Sequence, residues 1–173
     1  MAFNHTWQAL LRPGASTDFF ANGMPGRFDP AAAGFNPTNA WWLSELSRLI
    51  YPRVGAAPTV PGPSSSARQA FLQKVGLREN HFFHTRHAQA ALVETAADNP
   101  RAFAVLVFRG TSGPLSNWRF NLDTTPADWP GGGRVHRGFK TIFRSIWPEI
   151  TGELHRVRKP LFYTGHSLGG ALA

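Results

Sequence analysis

Gly165-His166-Ser167-Leu168-Gly169 is the stretch on which the reading of the whole chain turns. A serine with a glycine two residues to either side fits the nucleophile elbow, a sharp strand-to-helix turn whose strained backbone presents the hydroxyl. Gly165 and Gly169 stand where the incoming strand and outgoing helix pass too closely for a Cβ. Five residues alone are weak grounds, so the flanks matter. Leu161-Phe162-Tyr163-Thr164, after Pro160, reads as a short buried strand, and Leu168-Gly169-Gly170-Ala171-Leu172-Ala173 as the small-residue start of a helix. Strand, turn and helix follow in the order the motif requires. A serine hydroxyl is a poor nucleophile at neutral pH, and it works only with a base for its proton and N–H donors for the oxyanion it creates.

Length and composition bound what that serine can belong to. The chain has 173 residues, of which 42% are apolar and 13% aromatic, enough for one domain with a real core. The formal charge of +8 is mostly arginine, with Lys74, Lys140 and Lys159 as the lysines, and it is scattered rather than gathered into a stripe. Nucleic acid is therefore not an expected partner. There is no cysteine, which excludes disulfides and thiolate chemistry but not an extracellular location. Trp7 to Leu11 is too short for a signal-peptide core or a membrane span. The expected location is the cytoplasm by default, or outside the cell by a non-standard export route. No cofactor motif is present, and none is needed for acyl transfer from an ester to a serine.

Upstream, residues 1–35 read as an irregular arm rich in Gly, Pro, Asn and aromatics, packed down by His5, Trp7, Phe19, Phe20 and Phe28. Residues 36–173 read as a single, incomplete domain. Asn36-Pro37 is a helix start, and Trp42, Leu43, Leu46, Leu49 and Ile50 fall on one helical face before Pro52. After a Pro-rich connection, Ser66 and Gln69 resemble a capping box, with a helix over 67–75 closed by Gly76. Strands are predicted over 80–85, 89–95 and 102–108, the last two joined by a turn at Asp98-Asn99-Pro100. The third is a nearly continuous apolar run suited to the middle of a sheet. His81, His84 and His87 invite a metal reading, but a strand would send them to alternating faces, and no metal site is expected. Residues 137–158 read as helical, with Pro148 kinking or restarting the helix.

Three blocks stand in order: Val107-Phe108-Arg109-Gly110-Thr111 with Asn117-Trp118, then Val135-His136-Arg137-Gly138-Phe139, then the elbow with its flanks. Together they resemble the fungal-type, or class 3, lipase family of α/β-hydrolases, over roughly residues 102–173. The segment Asn39-Ala40-Trp41-Trp42-Leu43 is more loosely similar to the opening helix of bacterial members. The resemblance implies an α/β-hydrolase-like, mostly parallel sheet flanked by helices. It implies Ser167 as the nucleophile, and Thr111 as half of the oxyanion hole, with Leu168 supplying the other N–H at the start of the helix. In this order of motifs the triad acid and base follow the serine, so both are expected after Ala173 and the chain as given is expected to hydrolyse esters poorly. His136 is then a support for the site or its helix, and His166 points away from Ser167. Asp98, Asp123 and Asp128 fall in predicted turns or loops.

The function implied is a serine ester hydrolase acting on lipids, a triacylglycerol lipase or carboxylesterase. A phospholipase A1, a feruloyl esterase or a non-catalytic lipid-surface module on the same scaffold stays open, as does the oligomeric state. Residues 112–134 place Leu115, Trp118, Phe120, Leu122 and Trp129 among polar, Pro and Gly residues. The resemblance implies a lid there, closed in water and opened at a lipid–water interface, and a fixed loop is the alternative.

Overall fold

The apolar run before Arg109 forms the most deeply buried strand of a four-stranded sheet, in a computed structural model that describes residues 19–20, 25–51, 65–96, 98–110 and 123–173. In chain order the elements are α1 (Pro37–Leu49), α2 (Ser65–Lys74), β1 (Leu77–His84), β2 (Gln89–Thr95), β3 (Ala104–Phe108), β4 (Pro126–Asp128), β5 (Arg134–His136), α3 (Arg137–Leu154), β6 (Leu161–Gly165) and α4 (Leu168–Leu172). The sheet order is β1-β2-β3-β6, and β4 and β5 make a separate two-stranded ribbon. With helices against both faces of the sheet, the architecture is α/β.

The first two ladders, β1 with β2 and β2 with β3, are antiparallel, and only β3 and β6 run parallel. The expectation of a mostly parallel sheet is thus corrected for the described strands. Connection length is the cause: an antiparallel pair closes over a short loop, whereas a parallel pair needs a crossover of a dozen residues or more. Thr85 closes the first return by exchanging two hydrogen bonds with Ala88, its N–H to the Ala88 carbonyl at 2.8 Å and the Ala88 N–H to its side-chain hydroxyl at 3.0 Å. Between β3 and β6 the chain has room for the ribbon and the long helix α3.

Alternation along β3 divides the core in two. Val105 and Val107 face α1 and α2, where Trp42, Leu46, Leu49, Ile50 and Leu72 are buried. Ala104, Leu106 and Phe108 face α3 and α4, against Ile146, Ile150, Leu168 and Leu172. Helix α1 begins as its sequence predicts, with Pro37 in the first turn and Asn36 Oδ1 accepting from the Asn39 N–H at 3.1 Å. Gly76, at φ +72°, ends the turn after α2. The Gln69 side chain, read as a capping partner, instead accepts from the Glu79 N–H at 3.0 Å.

Within the arm, Phe19, Phe20 and Phe28 are buried, while His5 and Trp7 lie outside the described residues. Phe28 stacks on Phe103 with ring centroids 4.1 Å apart, and Asp29 and Asn39 exchange two hydrogen bonds of 2.8 Å. Charges on this side are paired: Arg68 meets Glu79 through two nitrogens at 2.5 and 2.7 Å, both side chains buried. Across β2, Lys159 reaches Glu94 at 2.7 Å.

Three local expectations change. Helix α3 runs through Pro148 without restarting and ends at Leu154; the Thr151 hydroxyl donates to the carbonyls of Trp147 and Pro148 on this stretch. β6 is only partly buried rather than buried, with Tyr163 46% exposed, because it is an edge of the described sheet. Asp128 lies at the end of a short strand rather than in a loop. Among the described residues no helix is long and apolar enough to cross a membrane.

Candidate active site

The parallel pairing of β3 and β6 brings the two motif-bearing strand ends side by side, with Phe108 opposite Gly165. One residue beyond each partner the chain turns, and the two turns touch. A Cβ built on Gly110 would stand 3.4 Å from Ser167 Cβ and would collide with the His166 carbonyl oxygen. The segment leading to position 111 therefore lies against the serine, on the same end of the sheet. Thr111 itself, together with residues 112–122, is outside the described residues.

Ser167 has φ 57° and ψ −123°, a left-handed backbone that a residue with a Cβ adopts only under constraint. Two close approaches impose it. A Cβ on Gly165 would run into the backbone of Gly169 and Gly170, and one on Gly169 into the backbone of Phe108 and Arg109. Only glycine lets β6, α4 and the end of β3 converge so tightly. The Gly169 and Gly170 N–H groups bond to the carbonyls of His166 and Ser167 at 3.0 Å each. The Leu168 N–H has no acceptor among the described residues, and neither does the Ser167 hydroxyl have a partner there. Leu168 is buried in the α3 face of the core, which fixes its backbone.

His166 turns from the serine into the α1 side, as expected, with its Nδ1 3.1 Å from the Tyr51 hydroxyl. Burial pushes its imidazole below the ordinary histidine range, so the ring is neutral at neutral pH. The Tyr51 phenol is pushed up by burial, against the opposing pull of the Arg109 cation and of a backbone hydrogen bond from Gly110. Desolvation also lowers Arg109. Its NH1 donates to Gln89 Oε1, and its Nε is buried with no hydrogen-bond partner among the described residues.

His136 caps α3: its Nδ1 accepts from the Phe139 N–H at 3.4 Å, and the ring stacks on Phe139. It thus supports the helix, as expected. Asp98 lies in the β2–β3 turn. Asp123 pairs with Arg137, and its carboxyl is held down at about 2, chiefly by hydrogen bonds from the Thr125 hydroxyl and N–H and then by Arg137. His81 reaches Glu149 at 3.0 Å, and no metal-holding cluster of His, Cys, Asp and Glu occurs among the described residues.

Beside the elbow, between α3, α4 and the ribbon, lies a cavity of about 650 Å³ walled by Phe108, Trp129, Phe139, Phe143, Trp147 and Tyr163. Trp129, expected in a lid or loop, follows β4 and packs on Phe143 with centroids 5.8 Å apart. The ribbon carrying it is tied to α3 by Gly138 N–H to the Asp123 carbonyl at 3.0 Å and by Lys140 Nζ to the Asp128 carbonyl. Leu115, Trp118, Phe120 and Leu122 fall outside the described residues.

Tyr51 is a feature that sequence reading did not single out. Tyr51 directly follows the apolar face of α1, and its polar tip gave no motif. A strained serine at a strand-to-helix turn is the backbone geometry that the elbow motif requires. Residues 105–173 match the family model for lipase (class 3). No curated protein and no solved structure gave a match.

Proposed function

We propose that the chain provides the nucleophile and oxyanion hole of a serine hydrolase that cleaves lipid esters through an acyl-enzyme on Ser167. The class 3 lipase match carries the general reading of a lipase-like ester hydrolase. The observation that supports the residue-level reading is Ser167 at φ 57°, pressed against Gly110 where β3 and β6 end.

In the proposed reaction the Ser167 Oγ attacks the ester carbonyl carbon and its proton passes to a base. The oxyanion accepts from the backbone N–H of Leu168 and of Thr111; each such donor is worth on the order of 10²–10³ in rate. Collapse expels the alcohol, and water then releases the acid. The aromatic cavity beside α4 suits an apolar acyl chain. No side chain among the described residues bonds to the Ser167 hydroxyl, which supports slow turnover of the chain as given, with acylation detectable at long times.

Incubation with p-nitrophenyl butyrate and p-nitrophenyl laurate, followed by peptide mass spectrometry, tests this. An acyl adduct on the Ser167 peptide, absent in Ser167→Ala, is the expected result. Adducts on other residues at the same level in both proteins would overturn it. Rapid steady-state turnover that depends on Ser167 would overturn the claim that the chain as given lacks an effective base.

A further inference from the structure

Tyr51 stands at the C-terminal end of α1, remote in sequence from the three motif blocks, yet its hydroxyl is at the junction of the two turns that form the site. It lies 3.1 Å from His166 Nδ1 and 3.4 Å from the His166 carbonyl oxygen. It also lies against Gly110, where a Cβ would collide with it. The phenol ring meets the His166 ring edge-on at 5.7 Å, and the Arg109 guanidinium carbon lies 5.9 Å from its centroid. At 6% exposure the tyrosine has no water to replace these partners.

We infer that Tyr51 is a positioning residue, which pins the strand end leading to Thr111 against the elbow and holds the His166 ring in one tautomer. The inference rests on the serine-hydrolase reading only for its effect on reactivity. One oxygen atom serves both turns. It packs against Gly110, and toward His166 it donates to the carbonyl oxygen and accepts from Nδ1–H. The separation between residues 110 and 166 is thus fixed by a side chain that belongs to neither turn. An oxyanion hole made of one donor from each turn depends on that separation, because donors aimed at the developing charge work only at hydrogen-bonding distance. The phenol also covers the buried side of His166, the residue directly before the nucleophile. The ring itself belongs to the buried cluster of Trp42, Leu46, Leu49 and Ile50, which holds it.

The test compares the full chain with Tyr51→Phe, which keeps the ring and deletes the oxygen, and with Tyr51→Leu as a packing control. Nitrogen-15 shifts of the His166 ring report the tautomer, and the rate of Ser167 labelling by a fluorophosphonate reports the geometry of the site. In wild type one tautomer is expected; in Tyr51→Phe a mixture, with labelling slowed about three- to tenfold, the range set by losing one or two hydrogen bonds. Unchanged ring shifts in a folded Tyr51→Phe protein would overturn the inference, and so would an unchanged labelling rate. If wild type does not label at Ser167 at all, the hydrolase reading fails while the ring shifts still decide whether Tyr51 fixes His166.

Discussion

The two faces of the central sheet are built to different standards. On the α1 and α2 face, inward-pointing polar groups are paired, the Arg109 Nε excepted: Glu45 accepts from the Phe20 N–H at 2.9 Å, Arg68 pairs with Glu79, and the Thr164 hydroxyl donates to the Leu43 carbonyl at 3.1 Å. On the α3 and α4 face, large aromatics stand around a cavity of about 650 Å³ instead of filling it. One face holds the fold together and the other keeps room, and the strained serine sits at the strand ends between them.

The difference can be broken most forcefully at the junction. Gly169→Val would drive a side chain into the Phe108 and Arg109 backbone, with no flexible neighbour to yield. Loss of soluble folded protein, or destabilisation of more than about 4 kcal/mol by urea unfolding, is expected; a protein of wild-type stability would mean that β3 and α4 do not approach as described.

On the closed face, Glu79→Ala leaves the buried Arg68 guanidinium without its carboxylate. Breaking such a pair costs about 3–5 kcal/mol. A loss below about 1 kcal/mol, measured by the same unfolding curves, would show the pair to be hydrated and the face less tightly closed.

A matched pair of truncations sharpens the contrast. Leu46→Ala, at 2% exposure, should cost about 2–5 kcal/mol by opening a new void. Phe143→Ala, at the wall of an existing cavity, should cost less than Leu46→Ala and should weaken binding of an apolar fluorescent probe. Equal losses at the two sites, with probe binding unchanged, would erase the distinction between the faces.

The smallest effect belongs to the exposed anchor of the ribbon. The Asp123 carboxyl is depressed to about 2 from an ordinary 3.8, so its contribution is complete above pH 3.8 and vanishes as pH falls through about 2. Asp123→Asn should remove that acid-range dependence while leaving the melting temperature at neutral pH nearly unchanged, as for other exposed ion pairs. A large loss at neutral pH would give the ribbon a deeper structural role.

What could be read from the sequence followed physical locality. Asn36-Pro37, the apolar run 104–108 and the glycines at 165 and 169 each impose a backbone outcome on their own neighbourhood, and the cap, the inner strand and the elbow appear where those residues place them. The strand directions were misjudged because they depend on connection length across the whole sheet rather than on the strands' own residues. The ribbon escaped notice because three-residue strands leave too little alternation to see. Tyr51 gave no signal because its neighbours Gly110 and His166, 59 and 115 positions away, are brought to it only by folding.

The account stands most directly on where the oxyanion goes. A crystal structure of the chain carrying a phosphonate on Ser167 measures it. The phosphonyl oxygen is expected about 2.7–3.1 Å from the backbone nitrogens of both Leu168 and Thr111. An oxygen directed to solvent, or residue 111 remote from the phosphorus, would contradict the acyl-transfer reading outright.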